Sequence, residues 1–298
     1  MESQKTGIAL RPQVIPPDEI VKLAKVIDQS SVSHLFIPDI PGSFDSLELS
    51  GACLGVSKGL RVGSGVFRPL EHDLVQLVRR LETLQAISEN RYLLGIGTGN
   101  PGQNPKEKIR ALIQRLDELR RDFSLKSASF PESYVATLRS GIAKEVSGKC
   151  DGILLNFCPA EFAETVVEAV RKSFSGKLET ACYLKAFFSE SKDSATKLAV
   201  EEFVKYDSLA HYHKMFEKIG VAEEIVSAAR SIEGNKISYP EKLSKTSPVN
   251  PDLEMLKEYI SGFRKAGISL PVVYPYFPPQ ENFEFKLETI RTIISTTE

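Results

Sequence analysis

The residues best placed to do chemistry lie where short apolar runs give way to glycine and polar groups. Gly97-Thr98-Gly99-Asn100-Pro101-Gly102 follows such a run with G-x-G-x-x-G spacing. In a dinucleotide-binding unit that spacing opens a helix whose N-terminus holds a pyrophosphate. Here Pro101, Gln103, Asn104 and Pro105 keep the chain irregular, and three strand–helix units come first, so the dinucleotide reading fails. The glycines instead suit a strand exit that brings backbone close to a flat ligand, with a plain glycine turn as the alternative. Gly63-Ser64-Gly65-Val66-Phe67 sets two glycines inside a strand, which calls for a bulge, a corner kink or a close backbone contact. Arg139-Ser140-Gly141 gathers a cation, a hydroxyl and free N–H groups at a helix start. A phosphate could bind there, and a simple cap is the competing reading.

Other chemistries lack support. His211 and His213, two residues apart on a helix, point to different sides and are expected in the surface or core, without metal. Asp117 and Asp122 fall among alternating charges of a solvated face. There is no G-x-S-x-G, no H-E-x-x-H and no obvious acid pair. Cys53, Cys150, Cys158 and Cys182 form no C-x-x-C pair, and MESQKTGIAL has no apolar signal core, so a reducing cytoplasm is expected. A net charge of −1, spread along the chain, leaves no nucleic-acid footprint. No apolar run nears the ~18 residues of a membrane span. The expected partner is a small-molecule substrate, with no nucleic acid and no membrane, and the expected assembly is a homodimer.

Eight short β-branched or apolar runs are predicted strands, over 6–10, 34–38, 60–67, 91–97, 132–138, 150–156, 178–188 and 271–276. Amphipathic stretches separate them. Over 70–88, Leu70, Leu74, Leu77, Leu81, Leu84 and Ile87 recur at helical spacing. Asn250 and Pro251 suit an N-cap and first helical position, and Gly267 suits the position after the last turn. Strict alternation of apolar strands and helices predicts an α/β fold, a (β/α)₈ barrel, in one domain over 1–298. Residues 189–270 hold several helical stretches, including 192–205, 208–219 and 221–232, and read as an insertion between strands seven and eight. Such an insertion either shapes the active-site rim or extends the surface.

The ordered set HLFIPDI, LRVGSGVFRPLEHDLVQLVRRLETLQ, NRYLLGIGTGNP and SYVATLRSGIAKEVSGKCDGILLNF resembles the bacterial-luciferase-like family. The last of these is similar to the matching part of methylenetetrahydromethanopterin reductases and their deazaflavin-using relatives. The resemblance implies an oxidoreductase that moves hydride between a deazaflavin (coenzyme F-420), or alternatively FMN, and a small organic substrate. It implies that Gly65-Val66 forms a strand-three bulge, often with a non-proline cis peptide, under the cofactor ring, flanked by Gly63 and Ser64. It implies that Gly97, Thr98 and Gly99 line the ring or tail, that Arg139, Ser140 and Gly141 hold the phosphate, and that Asp39 lies near the substrate with Asn100 and Asn156. Two departures matter. Family members that oxidise sugar phosphates carry Asp-His after strand two and Glu after Gly-Thr-Gly, where this chain has Asp39-Ile40 and Asn100. An amide cannot transfer a proton as a carboxylic acid does, so alcohol oxidation is disfavoured and hydride transfer to or from a C=N or C=C bond favoured. A flavin monooxygenase, or a barrel that binds ligand without catalysis, are the competing readings.

Overall fold

The computed structural model describes residues 5–99, 104–125, 128–234 and 237–297. The order is β1 (Gly7–Ala9), α1 (Pro17–Asp28), β2 (His34–Ile37), α2 (Ser46–Val56), β3 (Arg61–Phe67), α3 (Leu74–Ser88), β4 (Tyr92–Ile96), α4 (Pro105–Asp122), β5 (Glu132–Ala136), α5 (Ser140–Val146), β6 (Gly152–Asn156) and α6 (Ala160–Arg171). After β7 (Glu179–Phe187) come α7 (Lys192–Asp207), α8 (Ala210–Lys218), α9 (Ala222–Glu233), α10 (Glu241–Thr246) and α11 (Leu253–Lys265), then β8 (Leu270–Tyr276) and α12 (Phe283–Ile294). The eight strands pair in sequence order, all parallel, and β8 closes onto β1. Alternation and closure are thus as the apolar pattern predicts.

Because successive strand side chains point to opposite faces, the barrel makes two cores. Ile8, Leu35, Val62, Leu94, Ile153, Leu184 and Val273 face outward onto the helices. Phe36, Leu93, Tyr134, Leu154, Tyr183, Val272 and Tyr274 fill the interior. The interior accepts large rings because glycines stand beside them. A Cβ on Gly152 would lie 2.5 Å from the Tyr134 ring, and one on Gly63 would lie 2.7 Å from Leu93 Cβ. In β3 the register with β4 slips between Ser64 and Phe67, and the Gly65–Val66 peptide is cis. The bulge implied by the resemblance is present.

Helix ends follow local chemistry, with two corrections. The predicted helix over 70–88 begins only at Leu74, where Asp73 accepts a hydrogen bond from the Gln76 N–H. Leu70 lies outside it and Ile87 off its buried face, and both are exposed, so the periodic match overreached at the N-terminal end while the C-terminal end at Ser88 holds. Before α11 the cap is Asp252, not Asn250, whose side chain instead bonds Ser189. Gly267 does close α11: at φ +89° its N–H donates to Arg264 O and the Ile268 N–H to Phe263 O, a left-handed turn natural to glycine. No helix among the described residues is long and apolar enough to cross a membrane.

Candidate active site

Two cavities open at the C-terminal ends of the strands. The first, of about 370 Å³, is bounded on the β3–β6 side by Val66, Gly97, Thr98, Gly99, Thr137, Arg139, Leu154 and Asn156, with His211 and Tyr212 beside them. The second, of about 570 Å³, lies toward β1, β2, β7 and β8 and is lined by Arg11, Asp39, Gly65, Arg68, Tyr183, Glu202, Tyr274 and Tyr276. Val66, Thr98, Gly99, Asn156, Lys205 and Tyr206 border both. Each volume lies in the range of small-molecule sites.

Asp39, Gly65, Val66, Gly97, Thr98, Gly99, Arg139 and Asn156 therefore meet at one mouth. Four other sequence candidates line neither cavity. Gly63 packs inside the barrel, and Ser64 turns outward, with Oγ 2.8 Å from Tyr92 Oη. Arg139, not Ser140, is the cap residue of α5, so Ser140 and Gly141 fall within its first turn and only Arg139 reaches the first cavity. Asn100 lies outside the described residues.

The polar groups are largely committed. Tyr183 donates a 2.8 Å hydrogen bond to the Gly65 carbonyl. A Cβ on Gly65 would lie 2.2 Å from that hydroxyl, so glycine is required for the contact. Asp39 does not stand free: Arg68 bonds it through Nε and Nη2 and pairs with Glu71 at 2.8 Å. The Asn156 amide donates to Tyr212 Oη at 2.9 Å, while its Oδ1 is buried without a partner. His211 is held below the usual histidine range by burial and by Arg139 nearby, so it is neutral near pH 7.

Behind the second cavity, Lys185 is fully buried on β7, 2.7 Å from Glu202 on α7. The Phe157, Tyr206 and Tyr276 rings surround its ammonium, with centroids at 4.3, 3.7 and 4.8 Å. Burial pushes the Glu202 carboxyl up, but Lys185 outweighs it and holds the group at about 2. Sequence reasoning missed this pair, and also missed Arg11, Arg68, Lys205, Tyr206 and the mouth position of His211. One signal was available. A lysine inside the apolar run 178–188 shares strand parity with Tyr183 and Phe187 and so must point inward.

Residues 3–117 match the model of the luciferase-like monooxygenase family. No curated protein matches the chain. Among solved structures it is similar to the coenzyme F420-dependent tetrahydromethanopterin reductase of Methanopyrus kandleri, at 16% identity and TM-score 0.72 over 98% of this chain and 99% of that one. An F420-dependent secondary alcohol dehydrogenase, bound to an F420-acetone adduct, aligns over 100% of both chains at 14% identity and TM-score 0.71. The oxygenating constituent of 3,6-diketocamphane monooxygenase of Pseudomonas putida, in complex with FMN, aligns over 99% and 98% at 13% identity and TM-score 0.67. At these identities the likeness is one of fold. Two F420-dependent enzymes and an FMN-bound monooxygenase thus share the fold of this chain over nearly its whole length.

Proposed function

We propose that the chain is an oxidoreductase that holds a deazaflavin, coenzyme F-420, in the first cavity and a small organic substrate in the second. The observation that carries this reading is the shared seam. Val66, Thr98, Gly99 and Asn156 border both cavities, so a flat ring along the first would present its edge to a molecule in the second. The residues suit such a ring. Gly97 and Gly99 bring backbone to the wall, and the unpaired Asn156 Oδ1 can accept from a ring imide N–H. Arg139 at the β5 end would meet an anionic tail. When bound, the cofactor supplies or accepts the hydride.

The remaining work falls to side chains. Tyr183 fixes Gly65 in the second cavity, next to Val66 on the seam, and Asn156 and Tyr212 hold each other at the first cavity. Tyr206 and Tyr212, both from the connection between β7 and β8, form part of the wall of the first cavity. The presence of these residues in the cavity wall supports the rim-shaping reading of that connection. Preference for the deazaflavin over FMN is supported by the likeness of residues 133–157 to deazaflavin-using reductases. Titration with F-420 and with FMN, followed by absorbance and fluorescence, tests it. Saturable F-420 binding with the reduced form stable in air is expected. Tight FMN binding with oxygen consumption would replace this reading with a monooxygenase, and binding of neither would favour a non-catalytic barrel.

A further inference from the structure

We propose that the second cavity is a subsite for a substrate with a carboxylate and a flat apolar body, the carboxylate taken by Arg11. The inference rests on reading this cavity as the substrate side of a redox mouth.

The charges at its wall are unequally committed. Asp39 and Glu71 both pair with Arg68, and Glu202 pairs with the buried Lys185 at 2.7 Å. Arg11 stands apart, with no carboxylate at ion-pairing distance among the described residues. Its guanidinium lies over the Tyr276 ring, 4.8 Å from the centroid, and gives Nε and Nη2 to the amide oxygen of Gln13. Nη1 and the second Nη2 proton remain unspent, the adjacent pair of donors that meets a planar carboxylate. Glu202 acts on Arg11 only from beyond ion-pairing distance, so an incoming carboxylate would be the first to meet the guanidinium directly. Lys205, whose Nζ is 3.7 Å from Glu202, adds positive potential on the same side. Tyr274 and Tyr276 supply ring surface for the apolar body. A cationic substrate would meet repulsion here, and a neutral one would leave the guanidinium unmet.

The test uses two probes of one shape, 2-naphthoate and its neutral amide, titrated into the full-length protein by calorimetry. The acid is expected to bind ~10-fold or more tightly, as a charge-assisted pair should. Arg11→Met keeps an apolar stem on Tyr276 and should abolish that preference, whereas Arg11→Lys should keep part of it. Equal affinities in the unsubstituted protein would overturn the proposal, as would a preference that survives Arg11→Met. Should Arg11→Met fail to fold, the acid-against-amide ratio of the unsubstituted protein decides alone. Parallel titrations with F-420 and FMN separate the two readings. An acid preference without cofactor binding keeps the subsite and removes the oxidoreductase, and cofactor binding without an acid preference does the reverse.

Discussion

Replacing Glu202 by Gln keeps the shape of the side chain but leaves the Lys185 ammonium, 0% exposed, facing a neutral amide. Breaking a buried ion pair on one side typically costs about 3–5 kcal/mol, because the stranded charge stays desolvated. Three rings at 3.7–4.8 Å return part of this. A second route gives a similar figure. A carboxyl held at about 2 instead of 4.5 stabilises the fold by roughly 3 kcal/mol once ionised. Because this folded-state value lies below the unfolded one, the contribution is fully present above about pH 4.5 and is lost as the pH falls toward 2. Urea unfolding at pH 7 should show Glu202→Gln less stable by about 3 kcal/mol, with an unchanged denaturant slope. The variant should also lack the part of the acid limb that Glu202 contributes. The double substitution Lys185→Met/Glu202→Leu should return to within about 1 kcal/mol of the parent, since a packed apolar pair can replace a buried ionic one. A loss below about 1 kcal/mol in the single variant, or an unchanged acid limb, would refute this account of what ties α7 to β7.

Further outcomes follow from the same geometry. Tyr183→Phe should cost about 1 kcal/mol in urea unfolding by removing the donor to the Gly65 carbonyl. Gly65→Ala should be far more damaging, with its Cβ 2.2 Å from the Tyr183 hydroxyl, and part of that loss should return in the Gly65→Ala/Tyr183→Phe pair. If the two losses simply add, the clash lies elsewhere. Gly267→Ala, at φ +89° and 2.9 Å from the Arg171 guanidinium, should lower stability by about 1 kcal/mol or more without touching ligand affinity. Arg139→Met should weaken F-420 binding by roughly 10-fold, and an unchanged affinity would show that the tail leaves the mouth elsewhere.

The fold was legible in the sequence because strand–helix alternation is a one-dimensional signal: seven predicted strands contain an observed one, and the eighth starts one residue after β8 does. Helix ends were read less well. The apolar period across 70–88 cannot reveal that Asp73 starts the helix, since Leu70 repeats the pattern from outside it. At the site, Gly65, Val66 and Gly97 to Gly99 were visible because glycine in a strand or at its exit needs a local reason. Arg11, Arg68, Glu202 and Lys205 were not, because nothing local distinguishes a mouth cation from a surface one. Arg11, just past β1, meets Tyr276 on β8 only through closure of the barrel, and Lys185 meets Glu202 only through the return of α7.

The same commitments of charge bear on the chemistry. A site that removes a proton from an alcohol needs a base that is free to take it. Here Asp39 and Glu71 share Arg68, and Glu202 is held ionised by Lys185. Among the described lining residues those are the carboxylates of the second cavity, and each already has a cation. His211 is neutral and could exchange a proton, but it borders the first cavity, with Arg139 beside it disfavouring its charged form. Hydride delivery to a C=N or C=C bond makes a lesser demand, because the accompanying proton can come from water and no buried base must form. The ion pairing at the mouth thus disfavours alcohol oxidation, independently of the departures at Ile40 and Asn100.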